Sequence, residues 1–342
     1  MNRLFRKALR RIQPFDSSQE VIRSHETLAS FVWRASGTHQ FYIGLIAIAV
    51  ALLNFAPIDL QRRIVDEAIT KQDFKALIFL AALYAAVILV QAALKYCLLL
   101  YQSWVGESAV KLARDQLVAI ASAPHLPDQA GSGQTVNVIG REIDNVGGFV
   151  GTSISEFVVN LTFFAVIIAY MLYIQPVIAL VSAVFLVPQI VLALALQGEL
   201  NTLVERQVSL VRRLGDEAVQ QGASGAGPAD RGFGTIRAIF RNRIQFYFLK
   251  HGLKTLLNIA NAMGPLMVLC VGGYLVIQEQ ATIGTVVAFV SGFERLSGPL
   301  RDLLNFYREF EQAKVQHQMI VRWTESEARD RAAGETLEPA SG

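Results

Sequence analysis

FVGTSISEFVVNLTFFAVIIAYMLYI (149–174) and PVIALVSAVFLVPQIVLALAL (176–196) are two long apolar stretches separated by one residue, Gln175. The hydrocarbon core of a bilayer is about 30 Å thick, and an α-helix of about 20 mostly apolar residues crosses it. Each stretch therefore predicts one membrane-spanning helix. Neither stretch alternates apolar and polar residues as a membrane β-strand would, so the pair predicts an all-α membrane protein.

Four further stretches of the same kind flank this pair. The six predicted spans are 41–58, 76–100, 149–174, 176–196, 255–277 and 282–304. Of the 342 residues, 53% are hydrophobic and only 17% are charged, which excludes a disordered or fibrous chain and disfavours a water-soluble one. Cys97 and Cys270 lie within apolar stretches and outside any Cys/His cluster, so neither a disulfide framework nor a zinc site is indicated.

The net charge of +3 gives no overall basic field that would indicate nucleic acid binding. The basic residues that precede the first span are Arg3, Arg6, Lys7, Arg10, Arg11, Arg23 and Arg34. The positive-inside rule places them in the cytoplasm, and six spans then place both termini there. Arg62, Arg63, Lys71 and Lys75 in the first outside connection run against this rule, and neighbouring acidic residues only soften the conflict. The start of the chain does not resemble a cleaved signal peptide, and we expect a bacterial inner membrane protein.

The two long inside connections, 101–148 and 197–254, each predict a helix, a break and a returning helix. Apolar residues recur at helical spacing along them, and the breaks at 124–133 and 222–234 are rich in glycine and proline. About twenty helical residues beyond the membrane extend about 30 Å. The sequence therefore predicts two helical hairpins that project into the cytoplasm.

Three short motifs within this framework point to a known family. GQTVNVIGRE (133–142) follows the first break, TIRAIF (235–240) follows the second, and IGTVVAF (283–289) opens the last span, with Pro299 and Leu300 after it. In order and spacing, these motifs resemble the transmembrane domain of an ABC exporter over residues of about 30–322. The resemblance implies the six-helix fold of that family. Residues 1–36 would then be a basic N-terminus with an amphipathic elbow helix, 37–322 the transmembrane domain, and 323–342 a polar tail.

The resemblance also implies partners and a mechanism. Two coupling turns would meet a nucleotide-binding subunit through His125, Asp128, Arg231 and Phe233, and closure of that subunit around ATP would drive alternating access. A second transmembrane half, identical or different, and membrane lipid would be further partners, and nucleic acid would not. The chain contains no G-x-x-x-x-G-K-(S/T) motif, so we expect no catalytic residues and no metal here, with ATP and Mg²⁺ bound only by the partner subunit.

Four polar residues within the last two spans are candidates for a substrate cavity: Asn258, Asn261, Glu294 and Arg295. An ionised side chain at mid-membrane costs at least about 2.5–3.5 kcal/mol unless it is paired or hydrated. The alternative is purely structural, with interhelical hydrogen bonds from the asparagines and an ion pair of Glu294 with Arg301, which lies seven residues further along the same helix face.

Other functions remain open at this stage. A secondary transporter would need ion-binding carboxylates within the spans, and Glu156 and Glu294 are the candidates. A non-transporting membrane scaffold, or a truncated half-transporter, would fit an exporter-like domain without an ATPase. The transported substrate cannot be inferred from apolar spans.

Overall fold

The computed structural model describes residues 13–15, 22–23, 26–121, 138–224 and 230–337, and every regular element in these ranges is helical. The α-helices are α1 (Leu28–Ser36), α2 (Thr38–Arg63), α3 (Phe74–Ala121), α4 (Ile143–Gly148), α5 (Ile154–Ile174), α6 (Pro176–Ser224), α7 (Asp230–Ile277) and α8 (Ile283–Leu337). Three π-helical segments adjoin them: π1 (Ile64–Ile69) continues α2, and π2 (Val138–Glu142) and π3 (Phe149–Ser153) flank α4.

The chain divides into two compact units. The first comprises Met1–Leu60, Gln72–Ile167 and Gly298–Gly342, and the second comprises Gln61–Lys71 and Ile168–Ser297. Three of the four divisions fall within α2, α5 and α8, so each unit is assembled from segments that are distant in sequence.

Within the ranges that the structure describes, five helical segments are long and apolar enough to cross a membrane. They are Thr38–Ile69, Phe74–Ala121, Gly140–Ile174, Pro176–Gly215 and Phe233–Ile277, and they contain the first five predicted spans. The sixth predicted span opens α8, which falls short by the same measure because Glu294 and Arg295 interrupt its apolar run. The multi-pass helical architecture is therefore confirmed, and the sixth crossing stays a prediction.

Several helices are much longer than a bilayer requires. Helices α3, α6, α7 and α8 contain 48, 49, 48 and 55 residues. At 1.5 Å per residue each is more than about 70 Å long, against a hydrocarbon core of about 30 Å. A large part of each helix must therefore project beyond the membrane.

Glycines allow α3 to approach the segment 138–155 closely in the first unit. A Cβ atom on Gly151 would lie 2.5 Å from the carbonyl oxygen of Gln102 and 2.9 Å from Cα of Gly106. A Cβ on Gly147 would collide with a methyl group of Val110. Beside this contact, Gln102 Nε2 donates to the Ser155 hydroxyl at 2.7 Å. Backbone proximity and a buried hydrogen bond thus fix this helix crossing.

Helix α1 lies in the segment where the elbow helix is expected, and Ser24 and His25 of that segment lie outside the described residues. Its position along the membrane surface stays a prediction. Thr27 caps α1 by accepting a hydrogen bond from Ser30 N at 3.3 Å. Its buried face carries Leu28, Phe31, Val32 and Ala35, the i, i+3, i+4, i+7 pattern of an amphipathic helix.

Helix α1 packs into the same core as the distal half of α8. Phe31 lies 5.1 Å from the His317 ring, centroid to centroid, and both side chains are almost fully buried. Burial lowers the pKa of His317, and the nearby Glu26 carboxylate partly opposes that change. Glu26 is itself paired with Arg34 at 2.9 Å.

The distal part of α8 continues through the predicted boundary at residue 322. Trp323 is 3% exposed and belongs to the core that contains Phe31 and Ile320. The helix ends at Leu337, so the segment expected as a polar tail begins as packed helix.

Gly151→Ala should destabilise the first unit, because the added methyl group would meet backbone atoms that cannot rotate away. Overpacking of this kind costs about 1–3 kcal/mol. Gly148→Ala is the matched control, since a Cβ at this position would have nothing within 4 Å and alanine favours a helix. Thermal unfolding in nanodiscs should show a lower midpoint for Gly151→Ala alone; equal midpoints for the two variants would contradict the close crossing.

Candidate functional site

Helices α7 and α8 pack closely within the second unit. Asn261 Oδ1 accepts a hydrogen bond from the Ser297 hydroxyl at 2.8 Å. One turn away, the Phe293 ring fills the space beside Gly264, so that a Cβ on this glycine would collide with the ring. A polar bond and an aromatic ring seated on glycine therefore hold the fifth and sixth predicted spans together.

The four residues predicted for a substrate cavity have different surroundings. Asn261 makes the interhelical bond described above, Asn258 and Glu294 are exposed, and Arg295 is half-buried. Within the part of the chain that the structure describes, no hydrogen bond or ion pair joins any two of the four. Their role as a cavity stays a prediction, with the structural alternative realised for Asn261.

The start of α8 is held by a carboxylate of π1, just beyond the first predicted span. Asp66 Oδ1 accepts a hydrogen bond from Gly284 N at 2.8 Å, and Oδ2 accepts one from the Thr282 hydroxyl at 2.7 Å. A carboxylate at a helix N-terminus satisfies free N–H groups and opposes the positive end of the helix dipole. Asp66 thereby ties π1 to α8.

Glycine at position 284 makes this contact feasible. A Cβ there would collide with the Arg62 carbonyl oxygen and would lie 2.5 Å from Cγ of Asp66. Thr282 completes the cap by accepting a hydrogen bond from Thr285 N at 3.1 Å. In the sequence, Asp66 is one of several charged residues in a loop that carries both signs of charge. The capping residues before the last span predict that a helix starts there, but they do not identify the distant carboxylate that caps it.

Helices α6 and α7 form the second predicted hairpin. Asn242, 3% exposed, donates to the Leu203 carbonyl oxygen at 2.8 Å, and the Thr235 hydroxyl donates to Glu217 Oε2 at 2.8 Å. Glu217 is also paired with Arg213 at 2.9 Å. These cross-links tie the two helices together over several turns and stiffen the hairpin.

The described residues include only some of those predicted to couple to a nucleotide-binding subunit. Phe233 lies in the first turn of α7 and is 63% exposed. Arg231 is in the same turn, and its side chain is outside the described part of the structure. His125 and Asp128 lie outside the described residues, as do both turn centres, so the coupling turns stay predictions.

A comparison with protein families gives a match over residues 40–215 to the ABC transporter transmembrane region. The chain belongs to this family. The match covers the first four predicted spans and the helix that leads into the second hairpin. No curated protein matches the chain.

Membership of the ABC transporter transmembrane family confirms the resemblance drawn from the three motifs. The protein is a multi-pass membrane component of an ABC transporter, and the matched region is a membrane-spanning part, not an ATPase. Members of this family work with nucleotide-binding subunits and with a second transmembrane half.

Asp66→Ala should loosen the first turn of α8, because one backbone and one side-chain donor lose their acceptor. Loss of an N-terminal cap costs about 0.5–2 kcal/mol. Hydrogen exchange of peptides from the start of α8 should accelerate. Glu67→Ala, which removes the carboxylate one residue along, is the control. If the two variants exchange alike, Asp66 does not hold this helix.

Proposed function

We propose that this chain is the permease half of an ABC exporter and works with separately encoded nucleotide-binding subunits. The single observation that carries the proposal is the combination of an ABC transmembrane match with helices about twice as long as a bilayer requires. A membrane domain that is driven by a soluble ATPase subunit needs hairpins that extend from the membrane and contact that subunit. The exporter motifs quoted above support the outward direction of transport.

The second hairpin has the mechanical properties that such a role demands. Its two helices are cross-linked by Asn242 and Thr235, and its distal end presents the exposed ring of Phe233. A stiff arm with an aromatic anchor can transmit displacement of a partner to the membrane spans. Closure of two ATP-bound subunits would then move paired hairpins together and re-tilt the spans to expose the cavity outside.

Exposed apolar side chains along the projecting hairpin support a second transmembrane half as a partner. Val204, Val208 and Val211 form a stripe on α6, each about half-exposed, and Ile236 and Phe240 continue the apolar surface on α7. Residues 206–213 include Arg206, Arg212 and Arg213, which argues against burial of this part of α6 in hydrocarbon. A protein surface would cover the stripe more favourably than water.

ATP and Mg²⁺ would be bound by the nucleotide-binding subunits, and this chain would supply the pathway. The basic start of the chain and the basic second hairpin support a cytoplasmic position for both, with both termini inside, in a bacterial inner membrane. The scheme is the same whether the partner half is an identical or a different chain.

Phe233→Ala should weaken recovery of the ATPase subunit when the protein is purified gently from its native membrane, because the hairpin loses its exposed aromatic anchor. Alanine replacement of an interface anchor costs about 2 kcal/mol or more, so recovery should fall at least about tenfold at limiting partner concentration. Quantitative mass spectrometry of the co-purified proteins and ATPase activity of the complex are the readouts.

Phe248→Ala is the matched control, because Phe248 is 84% exposed on the same helix but lies about four turns from Phe233. It should leave partner recovery unchanged. Absence of any ATPase subunit from the wild-type preparation would contradict the proposed function, and equal recovery with both variants would contradict the role of Phe233.

A further inference from the structure

Four phenylalanine rings form a continuous cluster in the first unit, between the segment that runs from π3 into α5 and the middle of α8. Phe157 stacks on Phe306 with centroids 4.4 Å apart, and Phe149 lies 5.9 Å from Phe306. Phe310 completes the cluster at 6.0 Å from Phe149. The rings of Phe157, Phe306 and Phe310 are only partly buried in the single chain, so the cluster offers aromatic surface to a ligand.

Three carboxylates lie near these rings along the two helices: Glu156 precedes Phe157, and Asp302 and Glu309 lie about one turn on either side of Phe306 on α8. Within the described ranges, none of the three carboxylates forms an ion pair. Carboxylates that have no basic partner create a negative potential, which a bound cation would neutralise.

A cavity of about 240 Å³ lies beside the aromatic cluster. It is lined by Phe149 of that cluster and by Glu309. Its other lining groups are mostly polar and include Asp144, Gln312 and Gln316. The side-chain oxygen of Gln316 is buried and accepts no hydrogen bond from a described residue. Asp144 is already paired with Arg114 at 2.6 Å, so Glu309 is the carboxylate that the cavity offers to a ligand.

The cavity, the rings and the carboxylates together define a chemical class of ligand. Phenyl faces attract cations within about 6 Å of the ring centre, and carboxylate and carboxamide oxygens add a negative potential. A pocket that holds a whole ligand is typically about 300–1,000 Å³. This smaller cavity would hold a charged head group, and the apolar part of the ligand would lie on the rings.

We propose that the surface formed by α4, π3, the start of α5 and the middle of α8 binds a lipophilic organic cation, which is the class of substrate that the transporter carries. That the bound cation is transported rests on the proposed function, whereas its binding requires only this chain. An anionic amphiphile would meet three carboxylates. A metal ion would find no cluster of three His, Cys, Asp or Glu ligands in the described part of the chain.

The test is binding of tetraphenylphosphonium to the purified full-length protein in nanodiscs, measured by equilibrium dialysis with empty nanodiscs subtracted. Tetraphenylborate, of nearly the same size and shape but opposite charge, is the matched probe. The wild type should bind the cation at least about tenfold more tightly than the anion. Glu309→Gln should weaken cation binding about fivefold, in the range of a partly exposed ion pair, and leave anion binding no weaker.

Glu311→Gln is the control variant, because Glu311 lies two residues away, pairs with Lys314 at 3.8 Å and does not line the cavity. It should bind like the wild type. Glu156→Gln and Phe306→Leu provide second and third variants if Glu309→Gln does not fold, and each should lower cation affinity about threefold or more.

Equal affinity of the wild type for the two probes, or equal cation binding by Glu309→Gln and Glu311→Gln, would overturn the inference. Either result obtained together with co-purification of an ATPase subunit would leave the proposed function standing. Selective cation binding without any ATPase partner would support the site and overturn the proposed function.

Discussion

Close backbone approach between helices is the constraint on which the rest of this structure depends. Lipid chains are as apolar as leucine, so burial of apolar surface cannot drive helix association within a bilayer as it does in water. Gly147 and Gly151 let the start of the third predicted span lie against α3, and Gly264 seats the Phe293 ring between α7 and α8. Each contact has a hydrogen bond beside it, Gln102 with Ser155 and Ser297 with Asn261. Close packing and a polar bond together thus determine which helices pair.

Elsewhere, polar side chains cap a helix end and form hydrogen bonds between the helices of the projecting hairpin. Asp66 caps α8 at one end of the second unit, whereas Asn242 and Thr235 tie the α6–α7 hairpin together. In the first unit, α1 packs with α8 around Phe31 and His317. Rigid arms joined to closely packed spans are suited to transmit movement from a cytoplasmic motor, which is the basis of the proposed function.

The sequence predicted the helical membrane class and the family because both depend on long local patterns. Apolar stretches such as 149–174 and the glycine- and proline-rich breaks are readable without tertiary information. The pairing of Asp66 with Gly284 was not, since the two residues are 218 positions apart. Cluster formation by Phe149, Phe157 and Phe306 was equally hidden, because phenylalanines in a span are expected on apolar grounds alone. The buried Trp323 shows the same limit, as local polarity around it indicated a tail.

The sixth crossing is the most direct test of the account, because it decides whether the distal part of α8 lies on the same side of the membrane as the two hairpins. Cys97 and Cys270 would be replaced by alanine, and Gln280→Cys and Lys314→Cys introduced singly at exposed positions on either side of the predicted span. Labelling of intact cells with a membrane-impermeant maleimide should modify Gln280→Cys, and Lys314→Cys only after permeabilisation. Labelling of both cysteines from outside would show that α8 does not cross, and would contradict the permease architecture.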